Sequence, residues 1–336
     1  MKYGFVKVAA ATPSVRVADC FFNIGQIEKM MRSAAAQGVQ LIAFPELSVT
    51  AYTCLDLFQQ QTLLQQAEKA LLQLVAQTAD LELLTVVGAP LVVEDQLINA
   101  AVVFQRGEIC GVVPKTYLPN YREFQEKRWF TSANDLVADS IRLGGKCYPM
   151  HNGLLFEAGP VVMGVETCED LWVPLPPSTQ LAMAGANVLV NLSASNELIG
   201  KHRYRRRLVR QQSARCIAGY IYASSGFGES TTDLVFAGSS MVAENGAILA
   251  EAERFSLDEQ LVVSEIDLDN LRHDRLVSNT FKEAQAVFPM LETRRVACRL
   301  AAVEEEAPLV RPIDPHPFTP AGDALKARCE EIFQIQ

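Results

Sequence analysis

The stretch Val-Val-Met-Gly-Val-Glu-Thr-Cys-Glu-Asp-Leu-Trp, residues 161–172, opens as an apolar run and ends abruptly in polar residues. An apolar run of this length with a polar boundary predicts a buried strand. That strand delivers Cys168 to a polar edge, between Glu166 on one side and Glu169 and Asp170 on the other. A thiol is nucleophilic as its thiolate, and carboxylates alone raise its pKa. Catalysis by Cys168 therefore requires a base to take its proton and a cation nearby.

Two other strand ends offer those groups. Residues 41–47, Leu-Ile-Ala-Phe-Pro-Glu-Leu, form an apolar run ending in Glu46, and residues 112–117, Val-Val-Pro-Lys-Thr-Tyr, end a strand in Lys115. If these strands share a rim, a carboxylate, an ammonium and a thiol meet there. Each residue alone has an ordinary reading as well. A cysteine after an apolar run is commonly an inert core residue, and an acid or lysine after a strand is commonly solvated. Spacing leaves both readings open.

Working outward, residues 3–10 alternate as a first strand, and residues 15–36 read as an amphipathic helix. Phe21, Phe22, Ile24, Ile27, Met30, Met31 and Ala34 form its expected core face, and Gly38 stops it. With the strand before Glu46 this makes a β-α-β opening, which favours a right-handed crossover and a buried sheet. A second helix over 63–76, a strand over 83–93 and a hairpin over 97–104 and 108–113 follow. The hairpin mixes antiparallel pairing into the sheet, which argues against a plain doubly wound fold. Residues 117–148 lose all pattern and read as a surface or functional loop.

A second hairpin turns at Ala158-Gly159-Pro160 into the Cys168 strand, and Pro176-Pro177-Ser178 reads as a helix start with Ser178 as cap. Residues 187–192 form another buried strand with Ser193, Ala194 and Ser195 at its exit. The basic run over 201–210 reads as the solvated or ion-paired first half of a helix to residue 218. Strands are expected over 220–223, 234–242 and 260–266, with Asn245-Gly246 as a hairpin turn.

A net charge of −9 argues against general polyanion binding, so the basic run is not read as a nucleic-acid surface. The 8 cysteines include no Cys-x-x-Cys pair and the 4 histidines are scattered, which predicts neither a disulfide framework nor a metal site. The first ten residues are too short an apolar run for a signal peptide, and nothing approaches a membrane-spanning run. The expectation is a cytoplasmic protein with reduced thiols.

The wording of the motifs goes further. Phe-Pro-Glu-Leu with Thr50-Ala51-Tyr52 after it, Pro-Lys-Thr-Tyr-Leu-Pro-Asn-Tyr at 114–121 and Glu-Thr-Cys-Glu-Asp-Leu-Trp at 166–172 resemble the Glu, Lys and Cys motifs of the nitrilase (carbon-nitrogen hydrolase) superfamily, in their order. The resemblance covers residues 1–280. Within that superfamily, Tyr-Arg-Glu-Phe-Gln-Glu-Lys-Arg-Trp-Phe at 121–130, Asn-Leu-Ser-Ala-Ser at 191–195 and His-Pro-Phe-Thr-Pro at 316–320 resemble the amide-hydrolysing half of glutamine-dependent NAD synthetases.

The resemblance implies an α/β fold, specifically a four-layer α-β-β-α sandwich with mixed sheets. It implies Glu46 as general base, Cys168 as nucleophile, Lys115 at the oxyanion and Glu126 as a supporting acid. Tyr52, Tyr121, Glu169, Trp172, Ser195 and Lys201 are implied around a glutamine substrate, Lys201 standing where the family more often has arginine. The implied reaction releases glutamate and ammonia, the ammonia serving ATP-dependent amidation of nicotinic acid adenine dinucleotide to NAD in a full-length protein. No cofactor is implied for this part. ATP and Mg belong to a C-terminal synthetase domain, whose Ser-Gly-Gly-x-Asp-Ser motif is absent from these residues.

On this reading the chain is an N-terminal fragment. Residues 281–320 are expected as an extended linker, Pro-rich at its end. Residues 321–336 are expected to start a helix of the missing domain, opened by Thr319-Pro320, with Leu325, Cys329 and Ile332 on one face. A homo-oligomer is implied. Two rival readings stand beside it: a stand-alone hydrolase of another small amide or N-carbamoyl compound, and a non-catalytic scaffold that binds a partner.

Overall fold

The computed structural model describes residues 3–287, 291–302, 308–316, 319, 322 and 325–336. The chain opens with β1 (Phe5–Thr12), α1 (Cys20–Ala36), β2 (Leu41–Ala43), α2 (Gln61–Gln77), β3 (Leu84–Val93), β4 (Gln96–Gln105) and β5 (Glu108–Pro114). Helix α1 begins where the Asp19 carboxylate accepts the Phe22 N–H at 3.1 Å, a side-chain cap on an otherwise unsatisfied donor. It buries Cys20, Ile24, Ile27, Met30, Met31 and Ala34, and Gly38, at φ +73°, ends it. Phe21, expected in the core, is 40% exposed. Cys20 and Ile24 occupy the inward stripe, and Phe21 lies off it.

A small hairpin, β6 (Ser140–Leu143) and β7 (Lys146–Pro149), precedes β8 (Leu154–Ala158), β9 (Val161–Thr167), α3 (Pro177–Met183), β10 (Val188–Ser193) and α4 (Lys201–Cys216). Then come β11 (Gly219–Ser224), β12 (Met241–Glu244), β13 (Ala247–Glu251), β14 (Gln260–Asp267), α5 (Leu268–Val277), α6 (Asn279–Val287), β15 (Arg294–Ala297) and α7 (Leu325–Ile335).

The first sheet runs β14-β1-β2-β3-β4-β5 and the second β13-β12-β11-β10-β9-β8-β15. In the first, β1, β2 and β3 are parallel; in the second, β9, β10 and β11 are parallel. Antiparallel strands flank both sets, so the sheets are mixed, as the hairpins predicted.

Three apolar clusters mark the contacts between four layers. Ile27 of α1 and Leu71 of α2 pack with Ile42 and Val87 on the outer face of the first sheet. Val8, Leu41, Val86 and Val113 of the first sheet meet Met163, Val165, Val190 and Ile221 of the second. Leu181 of α3 and Val209 of α4 cover Leu189, Tyr220 and Tyr222. Leu189 and Val190 point to opposite faces because side chains alternate along a strand, and both faces are covered. This is the expected α-β-β-α sandwich.

Several local expectations change. Residues 140–149 of the patternless stretch form β6 and β7, joined at Gly144 and Gly145, both at positive φ. Of residues 234–242, expected as a strand, only Met241 and Val242 are in β12. Ser178 is inside α3 rather than capping it; Pro176 holds the cap position and Pro177 opens the helix. The Ser178 N–H donates to the buried Glu166, whose Oε2 accepts it at 2.9 Å.

The expected linker over 281–320 includes two regular elements among its described residues, and the rest of them are extended or irregular. Its first residues belong to α6, and β15 pairs in parallel with β8 to extend the second sheet. Farther on, the Val310 and Arg311 N–H groups donate to the Glu265 carboxylate at 3.0 and 2.8 Å, and Arg311 pairs with both Glu244 oxygens at 2.9 Å. Helix α7 leaves Leu325 and Ile332 exposed. Glu304, Glu305, Glu306 and Pro320 lie outside the described residues. No described helix is long and apolar enough to cross a membrane.

Gly88 of β3 lies against the turn that carries Glu46. A Cβ there would stand 2.2 Å from the Leu47 nitrogen and 2.7 Å from the Pro45 oxygen. Backbone cannot yield as a flexible side chain can, so Gly88→Ala should cost about 1–3 kcal/mol of stability and displace Glu46. Thermal unfolding checks this; unchanged stability would mean that the turn shifts freely.

Candidate active site

Glu46 follows β2 in a turn whose next residue, Leu47, has φ +52°, and its side chain is fully buried. Its Oε1 accepts from Lys115 Nζ at 2.6 Å and from Asn99 Nδ2 at 2.7 Å, and its Oε2 accepts the Ala194 N–H at 2.9 Å. Ala194 lies just past β10, so this last bond ties the first sheet to the second. Lys115 lies just past β5, and its own N–H donates to the Asn99 carbonyl at 2.9 Å.

A second carboxylate completes the ammonium's shell. Glu126 Oε1 accepts from Lys115 Nζ at 2.7 Å and from the Tyr52 hydroxyl at 2.8 Å. Its Oε2 is buried without a hydrogen-bond partner. Burial opposes the Lys115 charge, but Glu126 and Glu46 outweigh it and hold the ammonium's pKa well above its usual value. Burial pushes the Glu126 carboxyl up to about 7 although Lys115 pulls the other way.

Cys168 is the first residue of a short turn, Cys168–Leu171, directly after β9. It is 5% exposed and takes φ +45°, a region that costs a non-glycine residue about 1–3 kcal/mol and is found mostly where function requires it. Burial raises its thiol pKa, Glu46 adds to that, and Lys115 opposes it. The thiol thus lies within the field of both charged groups that the sequence placed at strand exits. Asp170 of the same turn accepts the Thr167 N–H at 2.9 Å and the Tyr117 N–H at 2.8 Å.

The remaining residues named from the sequence make polar and ring contacts of their own. The Tyr121 hydroxyl donates to Glu169 Oε1 at 2.8 Å. The Lys201 ammonium lies 5.2 Å from the Trp172 ring centroid and 5.8 Å from that of Phe124, within cation–π range, and donates to Asn196 Oδ1 at 2.5 Å. Burial lowers its pKa. Ser195 is backed by Arg205, whose Nη2 reaches the Ser195 Oγ at 3.4 Å and the Asn196 carbonyl at 3.0 Å.

Sequence reasoning missed Asn99, Asn196, Glu123 and Arg205. Asn99 is a lone amide in an apolar strand, a signal that was available. Asn196 donates to Glu123 at 2.7 Å while accepting from Lys201, so it joins the loop to α4, a link no pattern in the sequence announces. Arg205 belongs to the run read as solvated or ion-paired; it is fully buried and paired with Glu197.

Removing the ammonium would strand two buried carboxylates. Lys115→Met should cost about 3–5 kcal/mol, and adding Glu126→Gln should restore part of it by removing one of the stranded charges. Denaturant unfolding of the single and double variants measures both; a double variant less stable than the single one contradicts this account.

A model of the family described as carbon-nitrogen hydrolase matches residues 7–276. Among curated proteins, the chain is 42% identical over 341 residues to a glutamine-dependent NAD(+) synthetase of Mycobacterium bovis, covering 100% of this chain and 50% of that protein. It is 29% identical to one from Aquifex aeolicus, covering 80% of this chain and 45% of the relative. The chain thus spans about half the length of the curated relatives it matches. Among solved structures, a glutamine-dependent NAD+ synthetase of Acinetobacter baumannii aligns at TM-score 0.67 and 28% identity, over 80% of this chain and 46% of that one. An amidase of the nitrilase superfamily from Nesterenkonia aligns at TM-score 0.63 and 19% identity, over 81% and 95%, which shows the shared fold. With the family model spanning most of its length, the chain belongs to the carbon-nitrogen hydrolases.

Proposed function

We propose that this chain hydrolyses the side-chain amide of glutamine to glutamate and ammonia through a thioester on Cys168. The observation that carries the reading is the buried Glu46–Lys115–Glu126 cluster beside a cysteine in a strained turn. An inert core cysteine needs none of these neighbours.

In this mechanism Glu46 takes the thiol proton as Sγ attacks the amide carbon. Lys115 and the backbone N–H of Glu169 stabilise the resulting oxyanion. The C–N bond breaks as Glu46 returns the proton to the leaving nitrogen, and ammonia departs. Glu46 then deprotonates a water that attacks the thioester; the C–S bond breaks, the thiol regains a proton, and glutamate leaves. The Lys115 ammonium pairs with the Glu46 carboxylate at 2.6 Å and so holds it in place for this work. Glu126 supports Lys115, and its unpartnered Oε2 is an acceptor available to the substrate's amide nitrogen.

The approach suits an amino acid. Glu169 matches an α-ammonium, Lys201 and Ser195 match an α-carboxylate, and Tyr52, Tyr121 and Trp172 flank the chain between. The two charged anchors oppose each other in sign, which selects a zwitterion over a simple amide.

The relatives named glutamine-dependent NAD(+) synthetase support a wider setting. There the ammonia passes to a C-terminal synthetase domain that uses ATP and Mg to amidate nicotinic acid adenine dinucleotide to NAD, in a cytoplasmic homo-oligomer. Residues 321–336 would start that domain, after a connecting segment from residue 281.

Ammonia and glutamate release from glutamine by the purified chain, beside Cys168→Ala, tests the reaction. Turnover should vanish in the variant; equal turnover in both would end the cysteine mechanism. Glu169→Gln should raise the KM for glutamine about 10- to 100-fold, the worth of a charge-assisted hydrogen bond. An uncharged amide of similar length should show little change, and equal effects on both substrates would remove Glu169 from the ammonium site.

A further inference from the structure

We infer that Asp170 is a positioning residue whose carboxylate bridges the two sheets and fixes the Lys115 ammonium relative to the Cys168 thiol. The inference rests on the reading of those two groups as catalytic. Asp170 is 1% exposed and lies two residues after Cys168. Its Oδ2 accepts the N–H of Thr167, the residue before Cys168, at 2.9 Å. Its Oδ1 accepts the N–H of Tyr117, two residues after Lys115, at 2.8 Å, and the Thr116 N–H approaches Oδ2 at 3.5 Å. One carboxylate therefore holds the backbone on both sides of the pair.

The geometry needs such a bridge. Lys115 leaves β5 in the first sheet and Cys168 leaves β9 in the second. Within each sheet the hydrogen-bond ladder sets the register; between β5 and β9 the packing is apolar, with Val113 and Val165 in one cluster, and the polar bonds from Thr12 to the Ser224 carbonyl and from the Asp267 N–H to Glu244 join other strands of the two sheets. Apolar contact is non-directional and does not by itself fix the orientation of the groups at the two strand exits. A carboxylate that accepts from both segments is directional. Displacement of a reacting group by about 1 Å costs about 100-fold in rate.

Its environment shows that the position is held against a cost. Burial, and then the neighbouring Glu166, push the Asp170 carboxyl up to about 8, while the Thr167 and Tyr117 N–H groups and Lys115 pull it down. A carboxyl serving only as a turn cap would be less costly at the surface. The bond between Glu46 and the Ala194 N–H is the matching bridge for the base, so the segments carrying Glu46 and Lys115 each have a tie to the second sheet.

Asp170→Asn keeps the shape and replaces one acceptor oxygen by a donor, so one of the two strong bonds is lost. With glutamine as substrate, kcat should fall about 10- to 100-fold while KM stays within about threefold, since Lys201 and Ser195 are held by other contacts. A kcat within twofold of the parent, or a preserved kcat with a raised KM, overturns the inference. A variant that does not fold leaves a second measurement on the unaltered chain: amide exchange at Tyr117 and Thr167. Both amides should be protected and open together; fast exchange at Tyr117, whose side chain is exposed and whose N–H has this carboxylate as its partner, overturns the bridge. Protected amides in a chain that leaves glutamine intact would fault the proposed substrate and uphold the bridge.

Discussion

The Lys115 ammonium held between Glu46 and Glu126 is the constraint on which the molecule turns. A lysine side chain with no exposure loses its hydration, and only close carboxylates make that tolerable. The arrangement contributes little net stability, since replacing all three groups with apolar ones would remove the desolvation cost as well. Its value lies in fixing three ionisable groups against one another: burial raises the pKa of the Glu126 carboxyl while Lys115 pulls it down.

That cluster requires segments that are far apart in the chain to arrive together. Glu46, Lys115 and Glu126 come from the first sheet's loops, and Cys168 and Ala194 from the second sheet's strand ends. The sandwich supplies the scaffold because each sheet is covered on both faces, so the strands tolerate no slip without exposing apolar side chains. Rigid strand ends then place short turns, and the turns at Leu47 and Cys168 take positive φ to aim their neighbours. Both of these strained positions lie at strand exits, one after β2 and one after β9.

Away from the reacting centre the charges are arranged differently. Glu169 and Lys201 are only partly buried and are held by Tyr121 and Asn196, single polar contacts that a ligand can replace or join. The loop over residues 121–124 reaches both side chains, through Tyr121 at Glu169 and through Glu123 and Phe124 near Lys201. On the opposite rim the segment over 308–311 is fastened by Glu244 and Glu265, so the path of the chain beyond α6 is set by ionic contacts as well as by β15.

The sequence by itself determined the α/β class with mixed sheets, most strand and helix positions, and the exits that carry Glu46, Lys115 and Cys168. These were legible because doubly buried strands read as unbroken apolar runs, and a single charged residue at the end of such a run stands out. Only the tertiary structure decided that Asp170 and Ala194 N–H tie one sheet to the other, that Arg205 is buried rather than solvated, and that residues 294–297 join a sheet instead of a linker. Local pattern carries no record of such things. A backbone N–H has no sequence signature, an arginine in a basic run looks the same whether or not a Glu197 awaits it, and a four-residue edge strand gains its pairing from a partner about 140 residues away.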